Sequence, residues 1–187
     1  NIDVSHLALV GAIGDIQENM GFKGMNEGIL EDALKSELVE VRETLRLFGM
    51  QTKPIHKVLE YSTNPYIPGV TGNEKGAIKF IEDAGVKVYD KVGEFRRLVN
   101  LGKQELDRLV TAIEMKKVGG ENDIPLVGPV FLLKNEDDNS LKKDLREFST
   151  LLNSCGRMGY AGLGVGVCLG DVKATKKAFD VLRSYRK

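Results

Sequence analysis

Ala8-Leu9-Val10-Gly11-Ala12-Ile13-Gly14-Asp15 is an unbroken apolar run that closes on a single carboxylate. A run this short, ended by Gly-Asp, predicts a buried strand whose last residue carries a charge out of the sheet. Ligands and metals gather at the carboxyl ends of strands in open α/β sheets, which makes Asp15 a candidate catalytic and metal-ligating residue. Its oxygens are hard donors suited to Mg²⁺ or Mn²⁺, ions that activate water and clamp phosphoryl oxygens. One carboxylate is not a site, however, and nothing before Asp15 supplies partners. The plainer reading stands beside it: Gly14-Asp15 is a strand-ending turn in which Asp15 caps the next element.

Outward from that run, Gly21-Phe22-Lys23-Gly24 reads as a loop and Asn26 as the cap of a short helix bearing Ile29, Leu30, Ala33 and Leu34. Val39 to Leu47 alternates apolar with charged residues, the period of a strand with one wet face. Pro54 opens a helix carrying Ile55, Val58 and Leu59, in which His56 reads as an ordinary surface or packing histidine. After the tight loop Asn64–Gly72, Thr71 and Glu74 have capping-box spacing for a helix that runs to about Ala84, before Gly85. Phe95 to Leu101 reads as a strand and Lys103 to Lys117 as an amphipathic helix. Gly119-Gly120-Glu121-Asn122-Asp123 is the best linker, so a domain boundary is placed there. Beyond it the pattern predicts a strand over Leu126–Leu133, on an edge because of Pro129, and a helix from Leu141 to about Ser154. A glycine-interrupted strand over Leu163–Leu169 and a basic helix capped by Asp171 complete the reading.

The 187 residues suffice for one large domain or two small ones. Charged residues are 29% of the chain, but 27 basic and 27 acidic side chains cancel, so net charge gives no sign of a general nucleic-acid binder. The charge is uneven: six basic residues stand against two acids from Asp171 to Lys187. Cys155 and Cys168 are too few for a disulfide framework and wrongly spaced for a zinc knuckle. With no membrane-length run and no signal-peptide pattern, a cytoplasmic, reducing setting is expected. The chain opens on Asn1, which agrees with an excerpt of a longer protein.

The second chemistry-bearing stretch is Cys155-Gly156-Arg157-Met158-Gly159-Tyr160-Ala161-Gly162, followed by Gly164, Gly166 and Gly170. Glycines let a backbone approach a phosphate, Arg157 adds a planar bidentate donor, and the helix after Asp171 offers its positive end with Lys173 nearby. No Gly-Lys-Ser/Thr follows, and the glycines miss the dinucleotide fingerprint. A close-packed strand-to-helix crossing explains the same glycines.

With both stretches laid out, the chain resembles the archaeal RecJ-like nucleases of the DHH phosphoesterase superfamily. Ala8–Asp15 is similar to the fourth core motif, whose aspartate is a ligand of the metal pair. Pro65-Tyr66-Ile67-Pro68-Gly69-Val70-Thr71-Gly72-Asn73-Glu74 is similar to a segment of the archaeal branch. Cys155–Gly162 aligns with Gly-Gly-His-Pro-x-Ala-Ala-Gly of the DHH-associated domain. Gly156, Ala161 and Gly162 match it, while Cys155, Arg157, Met158 and Tyr160 depart.

The resemblance implies an α/β chain: the end of a parallel-sheet DHH-type catalytic domain (1–118), then a smaller α/β substrate-binding domain (124–187). It implies a Mn²⁺- or Mg²⁺-dependent hydrolase, an exonuclease on single-stranded DNA or RNA serving replication and repair. Asp15 would ligate metal, and Gly156, Arg157, Ala161, Gly162, Gly164 and Lys173 would hold substrate. The Arg157 departure keeps phosphate binding, since guanidinium suits phosphate, but removes any role that needs a neutral histidine. Asp-His-His itself occurs nowhere in the sequence, so the chain alone is expected to be inactive. The alternative is a non-catalytic replisome scaffold that docks on the GINS assembly of the replicative helicase, as a family relative does.

Overall fold

The computed structural model describes residues 3–18, 21–119 and 125–185. Among them the order is α1 (Ser5–Gly14), α2 (Met25–Lys35), β1 (Val39–Leu45), α3 (Ile55–Glu60), α4 (Glu74–Asp83), a 3₁₀ turn (Leu98–Asn100), α5 (Lys103–Lys116), β2 (Val127–Leu133), α6 (Leu145–Arg157), α7 (Ala161–Cys168) and α8 (Val172–Tyr185). The two strands pair with each other. The Lys134 amide donates to the Leu38 carbonyl at 3.0 Å and the Arg46 amide to the Leu126 carbonyl at 2.8 Å, so the ladder is antiparallel. A mixed α/β composition is thus observed. The expected parallel sheet is not among the described residues.

The chain divides into two compact units, one made of residues up to Val41 with Phe131–Asp137 and Leu141 onward, the other of Arg42–Val130 with Asp138–Ser140. That division differs from the boundary expected at Gly119–Asp123, of which residues 120–123 lie outside the described ones. Both changes of unit fall inside the paired strands. A scan for polar linkers cannot see a division made by long-range pairing.

In the first unit Leu9, Val10, Ala12 and Ile13 of α1 share one core with Phe22, Phe131, Leu133, Phe148, Leu151, Val167 and Leu182. The strand expected over Ala8–Asp15 is therefore a helix. A short apolar run does not distinguish a buried strand from a buried helix by periodicity. Leucine and alanine favour the helix, and Leu9 and Ile13 lie one turn apart on its buried face. Leu163–Leu169, also expected as a strand, lies largely in helix α7. Its glycines serve packing: a Cβ on Gly164 would touch the Cys155 Cβ at 3.7 Å, and one on Gly166 would strike the Ala174 Cβ at 2.7 Å. Burial raises both cysteine thiols above their ordinary range.

Local chemistry ends these helices. Asp144 caps α6, accepting from the Arg146 amide at 2.7 Å, and Asp171 caps α8, accepting from the Lys173 and Ala174 amides at 2.7 and 3.1 Å. After α6 the Tyr160 amide reaches the Cys155 carbonyl across Gly159 (φ +79°), and after α7 the Asp171 amide reaches the Gly166 carbonyl across Gly170 (φ +80°). Both are Schellman turns with glycine in the left-handed position. Asn26 does not cap α2, which starts from Gly24; its side-chain amide instead donates to the Gln17 side chain at 2.5 Å.

In the second unit Ile55, Val58, Leu59, Ile67, Val70, Ala77, Phe80, Ile81, Leu109 and Ile113 are buried. Asn73, not Thr71, caps α4, accepting from the Gly76 amide at 3.0 Å. The Thr71 hydroxyl instead closes the preceding loop, accepting from the Ile67 amide and donating to the Ser62 carbonyl, both at 2.9 Å. Phe95–Leu101 is not a strand. It makes isolated bridges at Phe95 and Arg97 and then tightens into the 3₁₀ turn, where the Asn100 side chain takes the Arg97 amide.

The turn that ends α1 uses the same Schellman geometry, with the Gln17 amide donating to the Ala12 carbonyl at 3.0 Å, but its left-handed residue is Ile16, at φ +60° and 65% exposed. A β-branched residue is strained there and gains nothing from burial. Ile16→Gly is expected to stabilise the chain by about 1 kcal/mol in urea denaturation; an unchanged or lowered midpoint contradicts this.

Candidate functional site

Asp15 is exposed and stands just past the end of α1, its amide donating to the Gly11 carbonyl at 3.2 Å. It is a helix C-cap rather than the tip of a strand. At that position a carboxylate stands at the negative end of its own helix. Among the described residues no three His, Cys, Asp or Glu side chains gather closely enough to hold a metal ion. The metal pair that the resemblance implies is not assembled among the described residues.

The expected phosphate cradle is also taken apart. The Arg157 side chain is exposed at the end of α6, its Nη1 donating to the Tyr185 hydroxyl at 3.2 Å. Tyr185 ends α8 and Lys173 begins it, so the two cations sit at opposite ends of a helix, about 18 Å apart along its axis. The first amides of α8 are already taken by the carboxylate of Asp171, which fills the place an anion would occupy. Gly164 is buried, its amide pointing to the Tyr160 carbonyl at 3.4 Å. Gly156, Ala161 and Gly162 remain exposed around Arg157. Gly14, the neighbour of Asp15, faces Ser149 and Asn153 of α6, and Asn153 lies one turn, about 6 Å along the axis, from Arg157.

The second unit builds a more fully assembled feature. From Val86 to Arg97 the chain folds back on itself, with the Arg96 amide donating to the Val88 carbonyl at 2.9 Å and the Asp90 amide to the Glu94 carbonyl at 2.8 Å. Gly93 (φ +86°) makes the turn, and the Asp90 carboxylate accepts from the Val92 and Glu94 amides, both at 2.9 Å. Val86 and Val88 point inward, Lys87 and Tyr89 outward. The Arg96 guanidinium ties this hairpin to α5 through two bonds to Glu105, both 2.7 Å, and also donates to the carbonyls of Lys87 and Asn100. That fork holds the Glu105 carboxyl down at about 2. Beside it lies a groove of about 440 Å³, lined by Lys87, Tyr89, Asp90, Lys91, Arg96 and Glu105.

Behind the hairpin, the buried His56 ring lies 4.1 Å from Phe95, centre to centre, with its Nε2 3.4 Å from a Glu74 carboxylate oxygen. Burial, with Lys57 beside it, pushes the imidazole below its ordinary range. Lys57 spans Glu60 at 2.8 Å and Glu74 at 3.0 Å. The loop before α4 presses so closely on that helix that a Cβ on Gly76 would sit 1.9 Å from the Gly69 carbonyl oxygen. The branch-like segment 65–74 is thus a locked piece of backbone. Its reading as a tight loop agrees with the structure, and of the two readings of His56, surface or packing, burial decides for packing. Tyr89 and Phe95 escaped notice in the sequence; the signals were the alternation of Val86 to Tyr89 and the turn chemistry of Asp90 and Gly93.

The Arg96–Glu105 fork yields a pH prediction. The folded Glu105 value lies below the ordinary carboxylate value, so its stabilisation is full above about pH 4.5 and is lost as pH falls toward 2. Glu105→Gln is expected to cost on the order of 1–2 kcal/mol at pH 7 and progressively less in acid, measured by urea denaturation. A cost that does not change with pH contradicts the assignment.

Comparison with known proteins fits this second unit. Residues 47–123 match the family model of the DHH-CID domain, wholly inside the unit that runs from Arg42 to Val130. An uncharacterized protein of Methanocaldococcus jannaschii is 30% identical over 185 residues, 99% of this chain. The chain spans only 38% of that relative's length. No helix of the described residues is long and apolar enough to cross a membrane. The segment that carries the hairpin, the locked loop and the groove is thus the one similar to the DHH-CID domain.

Proposed function

We propose that the chain is part of a DHH-superfamily phosphoesterase of RecJ-like type, a divalent-metal-dependent exonuclease on single-stranded DNA or RNA. The observation that carries this reading is the DHH-CID match over residues 47–123. The family's chemistry rests on a Mn²⁺ or Mg²⁺ pair, whose ligand set the described residues do not provide. This chain's part is therefore to hold the strand and not to hydrolyse it. Arg157 supports that role: it is exposed and its guanidinium donates to the Tyr185 hydroxyl, while Gly156, Ala161 and Gly162 of the same stretch are exposed as well. Lys173 adds charge elsewhere on the same unit.

A second reading, a non-catalytic scaffold that docks on the GINS assembly of a replicative helicase, draws on exposed apolar side chains around α7. Val165 is 60% and Leu169 81% exposed. Such a surface suits a protein partner better than a polyanion.

One assay separates the two. With Mn²⁺ and end-labelled single strands, the Methanocaldococcus jannaschii relative is expected to shorten the strand, and this chain alone to leave it intact. Arg157→Ala in this chain is expected to weaken strand binding and lower the salt dependence by about 0.7 in log–log slope. No cleavage by the relative with either metal overturns the nuclease reading. Turnover by this chain alone overturns the division of labour.

A further inference from the structure

We infer that the exposed face of Tyr89 is a stacking platform for a base of single-stranded nucleic acid, with Lys87 and Lys91 taking the adjoining phosphates. The inference rests on the single-strand reading above and assigns part of that grip to the segment similar to the DHH-CID domain.

Three rings carry it. His56 is buried; Phe95, 39% exposed, has its ring centre 4.1 Å away at a tilt of 42°, and Tyr89, 44% exposed, lies 4.6 Å from Phe95 at a tilt of 32°. The column therefore starts in the core and ends at the surface on a tyrosine. Each ring is held by the one beneath, and the hairpin is pinned by the Arg96–Glu105 fork. A tyrosine fixed in this way loses little conformational freedom when another ring stacks on it. Every base offers such a ring, which is why aromatic platforms bind single strands with little regard to sequence.

Tyr89 and Lys87 form the ridge shared by the 440 Å³ groove and a neighbouring one of about 410 Å³ that runs along Glu82 and Gly85–Tyr89. The first groove holds three cations, Lys87, Lys91 and Arg96, against two acids, Asp90 and Glu105, while Glu82 lines the second. The acids that line the first groove are engaged: Asp90 by two backbone amides, Glu105 by Arg96 and the Gly102 amide. Arg96 is held by Glu105 and is not the phosphate donor. Lys87 and Lys91 are exposed. The ridge thus presents a fixed aromatic face beside two surface ammonium groups, the combination that tracks a single strand.

The test uses the chain as it stands, with a fluorescein-labelled fifteen-mer of thymidine followed by anisotropy, and a 5-iodouracil-substituted strand for photocrosslinking mapped by mass spectrometry. Tyr89→Ala is expected to weaken binding about tenfold and to abolish the crosslink at residue 89, while Tyr89→Phe binds within about twofold of the parent. The double change Lys87→Glu and Lys91→Glu is expected to lower the salt slope by at least about 1.4. All three side chains are exposed, and circular dichroism checks that each variant is folded. Parent-like binding by Tyr89→Ala, with crosslinks elsewhere, overturns the platform and leaves the single-strand reading standing. Absence of strand binding by the chain, or equal competition by a duplex, also overturns the platform. The nuclease reading then stands or falls on cleavage by the relative.

Discussion

The pairing of β1 with β2 is the constraint on which the architecture depends. The Arg46 amide meets the Leu126 carbonyl at 2.8 Å across about eighty intervening residues. Closing a loop of that length costs on the order of 4 kcal/mol of chain entropy, so the ladder must be backed by burial on each side of it. Each unit supplies that burial: Val39, Phe131 and Leu133 in the first, Leu45, Leu126 and Val130 in the second. The intervening segment thus behaves as an insertion whose two ends are held together, the arrangement that lets a compact domain sit inside another. The DHH-CID match begins one residue after Arg46 and ends three before Leu126. The family boundary and the hydrogen-bonded clasp fall at the same place.

Within each unit, glycine and carboxylate chemistry serves structure where sequence motifs invite a functional reading. The glycines of α7 let it approach Cys155 and Ala174. The left-handed glycines 159 and 170 turn α6 into α7 and α7 into α8. Asp144 and Asp171 cap helices, and Asp15 ends one. These residue types are the ones a phosphate or metal site would use, because both tasks call for open backbone and hard oxygen donors. Spacing along the chain does not separate the two uses; the direction of the backbone amides does.

The segment similar to the DHH-CID domain is put together differently. Its loop, hairpin and α5 are joined by side-chain bonds of opposite charge and by rings in contact, with the Arg96–Glu105 fork at the centre. Such bonds fix orientation more than they add stability near the surface. Their consequence is a rigid exposed ridge on a small domain.

The sequence by itself determined the elements whose signals are local: strand β1 from its alternation, β2 from its apolar run with Pro129, the amphipathic helices α5, α6 and α8, the Asp171 cap and the Gly85 stop. It also carried the resemblance to the DHH superfamily in residues 65–74, inside the stretch that matches the DHH-CID model. Tertiary structure decided the state of Ala8–Asp15 and Leu163–Leu169, because an all-apolar segment shows no period to tell helix from strand and takes its form from what it packs against. Tertiary structure also decided which chemistry-bearing residues meet. Lys173 lies at one end of α8 and Arg157 at the other, while His56 of α3 meets Phe95 and Tyr89 of a hairpin more than thirty residues on. Proximity of that kind arises from packing between elements, and no spacing within an element encodes it.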